Sequence, residues 1–246
     1  MLRGVDKKGA AHIEMIVAFV FFMGFVLFLF ITIKPYDTTI LTGAVATEFY
    51  DSFEGAVATN LTNVFLKANA SELAAGCFYV ALPDEIFAYG FTDSVVTDLA
   101  DNRSDSGLEM DGDLSIDDDA VFYKVAISSD FDDSGLSGCG ELNDYYLGSL
   151  LEREVVSYKS LLEMRGKYNS DYDGLKADLK IPDIFDFSIK SEDLPEIKME
   201  GLIPSSGHIE AREYVLEVLF GEDVVSGGES ISAGTVENVN FILTIW

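Results

Sequence analysis

The feature that most constrains this chain is residues 15–33, MIVAFVFFMGFVLFLFITI, a run without a single charge. As a helix rising about 1.5 Å per residue it covers about 28 Å, close to the hydrocarbon core of a bilayer, and so predicts a membrane span. Arg3, Lys7 and Lys8 precede the run, whereas Lys34 is soon followed by Asp37, Glu48 and Asp51. The positive-inside bias therefore predicts a cytoplasmic N-terminus and a cell-membrane protein with its head outside the cytoplasm. A cleaved secretory signal has a shorter apolar stretch, about 7–15 residues, and a small-residue site behind it. Here the run ends in IKPYD, so cleavage behind it is not expected.

Glu14 sits directly against the apolar run, where an unpaired carboxylate carries a desolvation cost that a plain anchor does not explain. Lys7, Lys8 and Gly9, then Ala10, then Glu14 as the fifth residue beyond the glycine, then the long apolar stretch, form a pattern. It resembles the class III signal of type IV pilin-like proteins, above all the archaeal ones. The resemblance implies cleavage by a prepilin peptidase between Gly9 and Ala10, with Lys7, Lys8 and Gly9 as the recognition element. It also implies that the helix packs in a surface filament, with Glu14 neutralising the Ala10 amine of a neighbouring subunit, since a buried charge pair is tolerable where either charge alone is not. The implied partners are membrane lipid, other copies or related pilin-like subunits, and the peptidase; the implied role is adhesion or a related surface function. The alternative from another class is a membrane-tethered surface binding protein or receptor that does not assemble.

This reading divides the chain into a leader (1–9), an N-terminal helix (10–68) with a kink near Pro35, and a head (69–246). After Pro35, apolar residues from Ile40 to Phe65 fall mostly at three- and four-residue steps, predicting an amphipathic continuation of the helix. Beyond it CFYVAL, VFYKVAI, DFSIK, EYVLEVLF and NVNFILTIW read as strands of an antiparallel sheet. YYLGSLLEREVVSYKSLLEMRGKY and DGLKADLKIPD have helical spacing. The expected fold is α+β, with a long hydrophobic helix and one or two helices packed on the sheet. Segments 101–119, 129–144 and 221–235, rich in Asp, Ser and Gly, read as loops.

With 43 acidic against 16 basic residues the formal charge is −27, which repels a nucleic-acid backbone. Cys77 and Cys139 are the only cysteines; outside the cytoplasm they form a disulfide, and the alternative is two buried thiols. Asp130, Asp132, Ser134 and Glu141 match part of the oxygen-ligand spacing of an EF-hand loop, so calcium is the one candidate cofactor. A strand pattern precedes that segment where a helix should lead in. Asn60, Asn69 and Asn102 open N-glycosylation sequons. For catalysis, the only histidines are His12 and His208, and no phosphate-binding glycine loop or dinucleotide fingerprint is present. No enzyme is expected.

Overall fold

A computed structural model describes residues 7–32, 38–69, 76–83, 93–109, 112–132, 135–136, 138–204 and 208–246. Within helix α1 (Lys7–Thr32) side chains are described over residues 14–29, and within helix α2 (Thr38–Val57) from Thr42 onward. The helical reading of residues 38–68 ends at Val57, where the chain runs straight into strand β1 (Ala58–Ala68). Val64, Leu66 and Ala68 are buried there and Phe65 and Lys67 exposed, which is the period of two of a sheet with one covered face. Pro35 lies outside the described residues.

The strands expected in the head are present as β2 (Cys77–Ala81), β6 (Phe122–Ser128), β9 (Phe187–Ser191), β11 (Glu210–Leu219) and β14 (Val236–Ile245). Three segments read as loops also carry strands: β4 (Arg103–Leu108), β5 (Asp113–Asp117), β7 (Gly140–Glu141), β12 (Val224–Ser226) and β13 (Glu229–Ile231). With β3 (Asp93–Asp98), β8 (Tyr145–Ser157) and β10 (Lys198–Met199), twelve strands form one sheet in the order β10-β9-β14-β11-β8-β1-β6-β3-β4-β5-β2-β7. The expected all-antiparallel sheet is corrected to a mixed one, because β8 pairs in parallel with β11 and β2 with β7. The predicted long helix from residue 145 splits: its first half is β8, and only Tyr158–Ser170 is helical, as α3. Ser157 caps α3 by accepting from the Ser160 amide at 2.9 Å. Helix α4 (Tyr172–Asp178) follows, capped by Asp171.

One half of the sheet curls on itself. β4 pairs with β3 on one side and β5 on the other, so β5 and β2 fold back over β1, β6 and β3. They enclose Val64, Leu66, Phe78, Val80, Leu114, Ile116, Tyr123 and Val125. The seam is closed where Tyr145 Oη donates to the Ala81 carbonyl at 2.9 Å and where Cys77 and Cys139 are joined in a disulfide, with Cα atoms 5.1 Å apart. The other half, β8-β11-β14-β9-β10, is backed by α2, α3 and α4 over a core rich in aromatic rings, among them Phe49, Phe53, Phe187, Phe220 and Phe241.

Helix α1 contrasts with the rest. From Met15 to Phe28 its large apolar side chains are exposed, Phe21 at 74%. Among the described residues no helix is long and apolar enough to cross a membrane. This finding overturns the span expected over residues 15–33. The cell-membrane localisation, the outward-facing head and the tethered-receptor alternative fall with it. So do the type IV pilin-like filament assembled through that helix, its adhesion role, and the partners that role implied: lipid, pilin-like subunits and prepilin peptidase.

Candidate functional site

The curled half buries its concave face, while its convex face is covered in part by a small core of Leu61, Val95, Phe131, Val155, Leu219 and Ala233. On that face a cleft of about 570 Å³ is floored by Asn63 of β1, Lys124 and Ala126 of β6, Val95 and Thr97 of β3 and Arg103 of β4. Register explains why these side chains meet: Asn63 lies opposite Ala126, which lies opposite Val95, and Thr97 lies opposite both Lys124 and Arg103. The wall is Asp223 with Ser232, Ala233, Gly234 and Thr235. It approaches so closely that a Cβ on Gly234, whose φ is +82°, would stand 2.7 Å from Val95 Cγ1.

Two ion pairs hold the polar groups in place. Lys124 Nζ donates to Asp101 Oδ1 at 2.7 Å, and Arg103 Nη1 lies 3.6 Å from Asp223 Oδ1, which also accepts from the Ala233 amide at 2.8 Å. Asp101 is aimed by a left-handed backbone, φ 63°, in a turn organised by Asp98. Asp98 accepts from the side chain and amide of Asn102 and from the Ala100 amide; these bonds, the Asn102 side chain first, hold its carboxyl below the usual range.

Beside the cleft the same face carries rings. Phe65 lies opposite Lys124, and Lys67 lies opposite both Phe122 and Tyr146, so all five side chains share the open face. Phe65, Phe122 and Tyr146 are exposed, and Lys67 Nζ stands 5.5 Å from the centroid of the Phe122 ring. The site thus offers hydroxyls, an amide and fixed charges as donors and acceptors, next to flat apolar surfaces. Sequence reasoning missed it. The alternation Phe122-Lys124-Ala126 against Tyr123-Val125-Ile127 was visible, but its partner strand β1 had been read as helix.

The residues singled out from sequence lie elsewhere. Asp130 and Asp132 follow β6, with Asp132 Oδ1 3.7 Å from Lys159 Nζ. Glu141 is in β7 at the far edge of the sheet, with four strands between it and β6, and Ser134 lies outside the described residues. Among the described residues no group of three or more His, Cys, Asp or Glu is placed to hold a metal ion. Asn60 is exposed on β1, and Asn102 is exposed in the Asp98 turn. Asn69 donates to Asp144 Oδ2 at 2.6 Å. Glu14 is exposed on α1; the side chains of Lys7, Lys8 and Ala10, and Gly9 with them, fall outside those described. His208 is exposed and apart from the cleft.

No protein-family profile, no curated protein and no solved structure matches this chain, so the archaeal type IV pilin-like kinship expected from residues 7–33 finds no support and is corrected together with the span.

Proposed function

We propose that this protein is a binding protein and not an enzyme, and that the cleft on the open face of the curled half takes a polyhydroxylated, carbohydrate-like ligand. One observation carries the reading: the Lys124–Asp101 and Arg103–Asp223 pairs share a sheet face with the exposed rings of Phe65, Phe122 and Tyr146. Carboxylates accept from hydroxyls, while the ammonium and guanidinium donate to them. Because each charge is already matched, a neutral polar ligand can bridge the pairs without leaving a charge bare. The rings supply the apolar area against which the C–H face of a sugar packs. The two carboxylates that line the cleft, Asp101 and Asp223, are each engaged by a cation, which suits them to holding a ligand.

The test is titration calorimetry of the full chain against a panel of neutral oligosaccharides. Binding by at least one of them is expected, with Arg103→Ala and Phe122→Ala each weakening it about tenfold, or about 1.4 kcal/mol. Binding that neither substitution alters, or turnover of the sugar, would count against the reading.

A further inference from the structure

β8 pairs with β1 along nearly its whole length, from Tyr145 to Val156. On its other side only Val156 and Ser157 pair, with Val218 and Leu219 of β11, and β11 otherwise pairs with β14. Among the described residues, 145–155 of β8 and 210–217 of β11 therefore have no ladder partner on the sides that face each other. The two strands diverge from this shared end, and a cleft of about 540 Å³ opens where they part, lined by Tyr50 and Glu54 of α2, Glu154, Val215 and Glu217. Long open edges are usually shortened, covered or broken by proline. β8 runs for 13 residues without a proline and exposes Leu150 and Leu151.

We propose that this edge receives an extended segment of another protein as an added strand, and that the segment alternates basic and apolar side chains. The pattern follows from the faces of β8. Leu151 lies opposite Asn63 and so shares the open face, whereas Leu150, Glu152 and Glu154 point to the face on which α2 packs. An added strand would set every second side chain beside Leu151 and the exposed Val215, and the others beside Glu152, Glu154 and Glu54. The nearby cation, Arg153, is taken by Glu217 at 2.8 Å. Tyr50 stacks on Tyr214 at the same cleft, its hydroxyl pushed up to about 12 by burial and then by Glu54, so it adds no charge at neutral pH. A second copy of this chain is a poor occupant, because each carries −27.

The probe is a ten-residue peptide alternating lysine and valine, followed by fluorescence anisotropy and amide hydrogen exchange on the full chain. Binding is expected, with slowed exchange at the alternate amides of residues 145–155 that face away from β1. A Glu152→Lys/Glu154→Lys double variant is expected to weaken binding at least tenfold. The same peptide N-methylated at its valines keeps its charge but loses half its backbone donors; it leaves the protein untouched and is expected not to bind. The proposal is overturned if the N-methylated peptide binds as tightly as its parent, if the parent does not bind, or if the alternate amides of 145–155 that face away from β1 exchange as slowly in the free chain as those that face it.

Discussion

The curled half and the helix-backed half belong to one sheet, joined through the β1–β8 ladder, yet each covers its inner face with different material. The curled half uses its own strands, so its core is built of Val, Leu and Ile around one phenylalanine and one tyrosine; a disulfide ties its edge strand β7 to β2, and the Tyr145 hydroxyl ties β2 to β8. The helix-backed half has α2, α3 and α4 to cover it and packs five buried phenylalanines, Phe49, Phe53, Phe187, Phe220 and Phe241, between helix and sheet. Covering a sheet with itself leaves part of the opposite face open, where Phe65, Phe122 and Tyr146 are exposed. Covering it with helices leaves strand edges free instead.

The largest effect that would break this contrast is a cavity in the helix-backed half. Phe53 of α2 is fully buried, its ring 6.1 Å from Phe241 of β14. Phe53→Ala is expected to cost about 4 kcal/mol, within the range for buried aromatic truncation, measured by denaturant unfolding. A loss near 1 kcal/mol would mean that the helices cover the sheet loosely and that the two halves differ less than their cores suggest.

Opening the seam of the curled half is expected to cost somewhat less. The Cys77–Cys139 link closes a loop with sequence separation 62, for which chain-entropy arithmetic gives about 4 kcal/mol. Delivered values are usually smaller, so the Cys77→Ser/Cys139→Ser double variant is expected to lose about 3 kcal/mol. Hydrogen exchange should rise first in β2 and β7, the strands beside the link. Equal acceleration in β9 and β14 would show that the halves unfold as one unit.

The helix-backed half was largely legible from sequence. Its strand β11 alternates exposed charges with inward apolar residues toward its end, β14 is rich in β-branched residues, and α3 carries regular apolar spacing. The curled half was not. RSDSGL and DLSID have low intrinsic strand preference, yet they pair as β4 and β5 because Ser104, Ser106, Leu114 and Ile116 alternate inward once β3 supplies an edge. In residues 145–157 and 58–68 the apolar positions fit a helical period by coincidence, and the ladder between β1 and β8 decided the matter through pairing about ninety residues apart, which no local window sees. The candidate cleft needs four strands in register, so it stayed invisible for the same reason. Helix α1 teaches the reverse lesson: its apolar character was plain, but hydrophobicity alone did not determine what would cover it.

The finest comparison sets one buried tyrosine in each half against the other. Tyr158, at the start of α3, donates to Glu196 Oε1 at 2.8 Å, and Ser226 donates to the other oxygen of the same carboxylate at 3.0 Å. Tyr123, in the curled half, has a buried hydroxyl without a hydrogen bond among the described residues; the nearby Ala120 amide is already given to Asp118 at 3.2 Å. Burial, first of all, drives both phenols well above the ordinary value of 10, with Glu196 adding to it for Tyr158 and Asp118 for Tyr123. A raised value means that the folded chain holds these protons to higher pH than the unfolded chain does. Their contribution is therefore complete below pH 10 and drains away as the pH climbs from 10 through the folded values. Either Tyr→Phe substitution should flatten that alkaline decline. At neutral pH the two should part: Tyr158→Phe leaves a Glu196 oxygen unpaired and is expected to cost about 1 kcal/mol, whereas Tyr123→Phe removes only an unsatisfied hydroxyl and should change stability by less than about 0.5 kcal/mol or raise it. Equal losses in both variants would show that the curled core satisfies its tyrosine as fully as the helix-backed core does.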